Sequence, residues 1–190
     1  VILLDEIDKM GAISEYFHNE KMPFTEETMI KCLKMKRNKY EIYWAVLALR
    51  MLGTQKAIQY LKEVSTYKNL DVQGSNVLTI AYLAEGSENE YLASLLLNKD
   101  FKAKWYAVVA FNHKPDGKAI PYAAEYGVKT IKSSKNKPEA GSLIVEYLAR
   151  FASENELAKK IFARINKDFE NLSPKEQEVF TVNFPHIFRN

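Results

Sequence analysis

The residues with the most obvious chemical potential stand at the start of the chain. Val1-Ile2-Leu3-Leu4 is followed at once by Asp5-Glu6, and a carboxylate pair after a short apolar run can hold Mg²⁺ and orient an attacking water in nucleotide hydrolysis. That chemistry also needs a glycine-rich loop ending in Lys-Ser or Lys-Thr to cradle the phosphates, and no G-x-x-x-x-G-K-[ST] occurs in the 190 residues. The acidic pair therefore has no nucleotide to act on. At helical spacing Leu3, Ile7, Met10 and Phe17, with Ile13 or Ser14, share one stripe and Asp5, Glu6, Asp8, Lys9 and Glu15 lie mostly off it, so the segment is expected to be an amphipathic helix. His18, His113 and His186 have no i, i+4 partner and no nearby Cys pair, which leaves no metal site of ordinary ligand spacing. Cys32 is flanked by Lys31 and Lys34, which would lower a thiol pKa, but no His or acid is placed in sequence to make it a nucleophile. It is expected to be a small apolar residue of the second helix. Neither G-x-S-x-G nor H-E-x-x-H is present, so no catalytic residue, metal or cofactor is expected and the chain reads as a non-enzyme.

The opening run resembles the Walker B strand of AAA+ ATPases, without the rest of that machinery. Composition points elsewhere. With 47% apolar residues, 7 Gly, 6 Pro and one Cys, the chain suits a single helical domain spanning 1–190 rather than a collagenous, disulfide-stapled or turn-rich all-β protein. At this length it can bury roughly 70% of its unfolded surface without metal or disulfides. The 27 basic and 24 acidic side chains leave a net charge of +3 and a pI near 8.7, below the usual footprint of a dedicated nucleic-acid protein. There is no long apolar run for a membrane span and no positively charged leader, and a lone cysteine suits a reducing compartment, so the expected location is cytoplasmic with no membrane partner. A chain that opens on Val1 instead of Met reads as processed or trimmed.

The elements that must position any site follow a repeat. Tyr60, Tyr91 and Tyr122 are 31 residues apart, and each precedes an apolar residue, Leu61, Leu92 and Ala123. The same offset aligns the segments beginning at Trp44, Ser75 and Tyr106. Lys56-Ala57-Ile58 recurs as Lys118-Ala119-Ile120, 62 residues on. A fourth copy follows, with Tyr82-Leu83-Ala84 echoed by Tyr147-Leu148-Ala149 and the surplus length expected in 133–138. Within each copy the apolar period is helical and is broken at Gly53-Thr54, Gly86-Ser87, Pro115-Asp116-Gly117 and near Ser153. Each copy is thus helix, turn, helix, and hairpins this short must stack to bury their apolar faces. At the ends, Thr25 is expected to cap a helix over 26–36, with Thr28 or Glu27 near the capping-box position. Ser173-Pro174 should start a last helix that stops before Pro185, so that Phe180, Phe184, Ile187 and Phe188 lid the final repeat.

This pattern resembles the HEAT-like repeat superfamily, including the short repeats of phycobilin lyases, over about residues 38–170. The resemblance implies an all-α, right-handed α-solenoid of about four helical hairpins. Its parts would be capping helices over 1–37, repeats over 38–70, 71–101, 102–134 and 135–170, and a cap over 171–190. The repeat architecture combined with the missing catalytic signatures leads us to expect a protein-binding adaptor or scaffold of bacterial type, and the small size suggests an antidote that occludes a toxin. The alternative that the resemblance offers is a nucleic-acid-binding protein of the DNA alkylation-repair glycosylase type, in which Trp and an acid contact the lesion. Trp44 and Trp105 are the candidates, but no acid stands obviously beside them and both read as packing. A lyase acting on a bilin has no nucleophile signature.

Two sets of residues carry the binding expectation. Tyr60, Tyr91, Tyr122 and Tyr126, with Lys56 and Lys118, either line a partner-facing surface or, for the tyrosines, form a repeat-to-repeat core ladder; position in the apolar period favours the ladder. Lys36, Arg37, Lys39, Lys68, Lys99, Lys135 and Lys137, with Asn166-Lys167, recur at the joints and would form a basic edge toward an acidic protein or nucleic-acid phosphates. The bland account of that edge is that lysines after a helix end answer its dipole.

Overall fold

A computed structural model of the chain describes residues 2–133, 138–171, 173, 174, 177 and 178, with backbone alone for residues 2–8, 129–133, 138–142, 166 and 169. Every regular element among these residues is helical, as composition required. The helices are α1 (Ile2–Asn19), α2 (Glu26–Met35), α3 (Lys39–Leu52), α4 (Ile58–Val64), α5 (Leu70–Ala84), α6 (Asn89–Ser94), α7 (Lys104–His113), α8 (Ile120–Ser133), α9 (Pro138–Phe151) and α10 (Glu156–Glu170). The opening segment is helix, and its Ile13 and Phe17 are buried with Met10 half-buried; the side chains of Leu3, Asp5, Glu6 and Ile7 lie outside the described residues. All four breaks read from the sequence fall between helices. α10, however, runs unbroken through Asn166-Lys167, so that pair is not a joint.

Local chemistry sets the helix starts. Free N–H groups of a first turn need acceptors. Thr25 Oγ1 takes the N–H of Thr28 at 3.3 Å, and Asn38 Oδ1 takes those of Tyr40 and Glu41 at 3.0 and 2.9 Å. Asn69 Oδ1 takes that of Val72 at 3.0 Å, and Asn155 Oδ1 those of Leu157 and Ala158 at 3.0 and 3.1 Å. Thr54 and Asp116 cap the short 3₁₀ turns Gln55–Ala57 and Gly117–Ala119 that lead into α4 and α8. The caps repeat as the apolar columns do: Asn38 and Asn69 are 31 residues apart, Thr54 and Asp116 are 62. At the far end Pro174 is helical after Ser173. Phe180, Phe184, Ile187 and Phe188, and the connection over 134–137, lie outside the described residues.

The chain divides into two compact units, one of residues 1–85 and 99–106, the other of 86–98 and 107–190. In the first, α3 lies against α1, α2 and α5, and α4 against α2 and α5. Phe17, Met29, Leu33, Ile42, Leu49 and Ile80 are among its fully enclosed side chains. A polar clasp joins α3 to α5. Arg50 donates from Nε to Thr79 Oγ1 at 3.3 Å and from Nη2 to the Ser75 carbonyl at 3.2 Å, while Thr79 Oγ1 donates to the Val46 carbonyl at 3.3 Å. In the second unit α8, α9 and α10 pack on one another, and α6 packs on α8 and the Gly117–Ala119 turn. Tyr147 lies between Phe111 and Phe151, with both ring pairs at 5.0 Å, and its hydroxyl donates to the Asp116 carbonyl. Burial, followed by the Asp116 charge, raises its phenol pKa well above the ordinary value. Asn89 Nδ2 donates to the Lys114 carbonyl at 2.7 Å beside Gly86, whose φ of 94° lies in the left-handed region that favours glycine.

One glycine in the first unit decides a packing direction. Gly74 sits inside α5, where alanine would ordinarily be the better helix former by roughly 1 kcal/mol. The Tyr106 ring lies directly on it: a Cβ at Gly74 would stand 2.8, 2.9 and 3.0 Å from three of the ring carbons. Tyr106 therefore turns toward α5, and Trp105, one residue earlier and about 100° round the helix, turns outward at 42% exposure. This corrects the expectation that Trp105 is packing. Its ring lies perpendicular to that of Tyr106, at 5.0 Å and 82°. We predict that Gly74→Ala destabilises the chain by about 1–3 kcal/mol, because a rigid ring blocks the methyl. Urea denaturation of Gly74→Ala, Tyr106→Leu and the double variant tests this. The cost of the alanine should shrink sharply in the Tyr106→Leu background, and equal costs in both backgrounds would rule the contact out.

Candidate functional site

At the joints of the first unit the chain must turn while keeping its backbone polar groups satisfied. The α4–α5 joint and the loop over 98–103 are fastened together by one side chain, Gln73, which is 2% exposed. Its Nε2 donates to the carbonyls of Tyr67 and Asp100, both at 3.0 Å. Its Oε1 accepts from the N–H groups of Lys102 at 2.7 Å and Ala103 at 3.2 Å. Both donors and both lone pairs of the amide are used.

Around this fastening the joints open into two adjoining grooves. One, of about 460 Å³, is lined by Lys36, Lys39, Glu63, Thr66, Tyr67, Lys68 and Asn69. The other, of about 590 Å³, is lined by Thr66, Lys68, Asn69, Leu70, Gln73, Asp100 and Lys102. Thr66, Lys68 and Asn69 belong to both, so the grooves adjoin along that shared wall. The structure thus brings Lys36, Lys39 and Lys68 of the expected basic edge to one channel and adds Lys102. Lys36 and Lys68 form no ion pair among the described residues. Arg37 and Lys99 are exposed but line neither groove, and the Lys99 carbonyl accepts from the Lys102 ammonium. Lys135 and Lys137 lie outside the described residues.

Apolar surface accompanies the charge. Leu70, in the groove wall, is 55% exposed; Tyr40 is 60% exposed, with the Lys39 ammonium 4.8 Å from its ring centre. Lys104 sits 5.5 Å from the centre of the buried Phe101 ring, and burial, then the charge of Lys102, brings its pKa down to about 8.

The tyrosine series takes an intermediate place. Tyr60 in the first unit and Tyr91, Tyr122 and Tyr126 in the second are all half-buried, whereas the residues after the repeating three, Leu61, Leu92 and Ala123, are fully enclosed. The Tyr60 face is occupied by Lys34, whose ammonium lies 4.3 Å from the ring centre. Lys56 and Lys118 are exposed in the 3₁₀ turns that lead into α4 and α8, and Lys118 is 3.8 Å from Asp116.

Cys32 is enclosed, as expected, but an acid does stand beside it. Glu41, 3% exposed on the first turn of α3, stands within interaction range of the thiol and favours its protonated, hydrogen-bonding form. Burial, then that hydrogen bond and charge, push the thiol up to about 12, outweighing Arg37 and Lys31. The same carboxylate raises the hydroxyl pKa of Tyr16, after burial and Glu20, and the Tyr16 ring meets Trp44 at 4.4 Å. An acid is therefore near Trp44, enclosed and unavailable to a ligand in solution. Sequence spacing missed it because Cys32 and Glu41 meet only when α2 packs on α3. Gln73 was visible as a polar residue inside the stripe Val72-Gln73-Gly74-Ser75-Asn76-Val77. Among the described residues no group of three or more His, Cys, Asp or Glu could hold a metal ion, and no helix is long and apolar enough to cross a membrane.

The fold and this site define an all-helical chain with a basic, apolar-flanked groove at the joints of its first unit. Compared with protein-family models, curated proteins and solved structures, the chain matches none.

Two outcomes follow from this geometry. Gln73→Leu strands two N–H groups and two carbonyls, at about 1–3 kcal/mol for each that stays enclosed, so hydrogen exchange at Lys102 and Ala103 should accelerate by orders of magnitude; unchanged protection would disprove the fastening. The Cys32 thiol should resist disulfide reagents at pH 8 while the chain is folded and react once it is unfolded. Because its folded pKa lies above the ordinary 9.0, the stability it contributes is complete below pH 9 and fades as pH climbs toward about 12. The difference between the stability profiles of the parent chain and Cys32→Ala should show that loss and be flat below pH 8.

Proposed function

We propose that the chain is a HEAT-like α-solenoid that acts without catalysis, binding another protein as an adaptor, scaffold or occluding inhibitor. The 31-residue period of caps and apolar columns supports the architecture, since hairpins of this length have no stable core alone. The joint groove supports the binding. It joins Lys36 and Lys39, near the exposed Tyr40, to Lys68 and the exposed Leu70, and exposed apolar side chains within a polar, charged rim are the arrangement of a protein interface.

One observation favours the alternative, a nucleic-acid-binding protein: Tyr40 is exposed with the Lys39 ammonium 4.8 Å from its ring centre, and aromatic faces with a basic groove hold single strands. The glycosylase form of that alternative gains nothing, because Glu41 is enclosed. A photo-crosslinking residue placed at Leu70 tests the reading in cells of the source organism. The expected result is a protein adduct that survives nuclease and falls at least several-fold in a Lys36→Glu/Lys68→Glu background. A nuclease-sensitive adduct in its place, with duplex or single-strand binding that weakens steeply with salt, would replace protein binding by nucleic-acid binding.

A further inference from the structure

The order of charges along the joint groove identifies the kind of partner it fits, and this inference rests on the protein-binding reading above. The channel begins with Lys36 and Lys39 beside Glu63, continues through Lys68 and the exposed Leu70, and ends with Lys102 beside Asp100. Cations at three places attract an anionic chain, but a carboxylate interrupts the row twice. A nucleic-acid strand carries a charge at every residue and must set phosphates against Glu63 and Asp100, where like charges repel in a partly desolvated channel. A polypeptide is not so bound. It can place acidic side chains at the lysines and leave neutral residues or its own N–H groups opposite the two carboxylates. Leu70 discriminates in the same direction, since an exposed aliphatic side chain gains by covering another apolar group and gains nothing from a phosphate.

We propose that the groove binds an extended acidic segment of a partner protein, with carboxylates at Lys36 and Lys39, at Lys68 and at Lys102, and an aliphatic side chain seated on Leu70. The amide resonances of the isotopically labelled chain provide the readout. The probe is a synthetic peptide of Asp-Glu pairs separated by glycines, with one central leucine. Three comparisons accompany it: the same peptide with Asn and Gln for the acids, the same peptide with Gly for Leu, and oligothymidylate. Shifts are expected around Lys36, Lys39, Lys68, Leu70 and Lys102, with affinity about tenfold weaker for each control peptide, a change of about 1.4 kcal/mol. In Lys68→Glu the acidic peptide should bind about tenfold more weakly, and a peptide that keeps the central leucine but carries lysines in place of the acidic pair next to it should recover that loss, which a misfolded variant would not allow. Equal binding of the amide peptide, shifts on another face, or no shifts at all would overturn this inference. Those outcomes leave the protein adduct at Leu70 to stand or fall separately. Tighter binding of oligothymidylate at the same residues would overturn both.

Discussion

A buried amide with its whole hydrogen-bonding capacity engaged holds the edge of the first unit in one shape. Gln73 projects from α5 at the wall of the groove with its own side chain enclosed, and there it serves two carbonyls and two N–H groups from separate stretches of backbone. Each such group costs about 1–3 kcal/mol if left without a partner, so the backbone must come to the amide in one arrangement. That arrangement fixes Tyr67, in the wall of the first groove, relative to Asp100 and Lys102 in the wall of the second. Lysines on mobile loops would attract anions without choosing among them. Lysines flanking a fastened joint hold a spacing, and a fixed spacing of charges is what selectivity among anions needs.

Beside that fastening, a second constraint separates what is packed from what is displayed. Gly74 admits the Tyr106 ring onto the backbone of α5, and one helical step places Trp105 in solvent. A methyl group on residue 74 would remove the seat. The pair shows why two tryptophans of nearly equal repeat position differ: Trp44 stands in the column shared with Ser75 and Tyr106 and is half-buried against Tyr16, whereas Trp105 stands one place before that column.

Repetition in sequence carried backbone conformation more faithfully than burial. The caps Asn38 and Asn69 recur at 31 because a helix start needs a side-chain acceptor wherever it falls. Tyr82 and Tyr147 occupy matching echoes, yet Tyr82 is 57% exposed and Tyr147 is fully enclosed between Phe111 and Phe151. Asn76 stands where the flanking copies have Ala45 and Ala107, and its amide donates to the Leu61 carbonyl and to Ser65 Oγ at 3.0 and 2.9 Å. Each copy meets different neighbours, so the same position is core in one and surface in another.

The sequence by itself determined the helical class, the ends of most helices, the turns between them and the burial of Leu61, Leu92 and Ala123, because caps, glycine and proline breaks and apolar periods are local signals that act within a few residues. It also placed Lys36, Lys39 and Lys68 at joints. What it could not contain was which of those lysines share a channel, that Leu70 stands beside them uncovered, that Lys102 joins them and that Glu41 lies against Cys32. Those facts depend on which helix packs on which and at what rotation, and so on interactions between residues tens of positions apart. Only the tertiary structure decided them, since a hydrogen bond such as Gln73 to Asp100 exists only once the intervening chain has folded back to bring its partners within 3.0 Å.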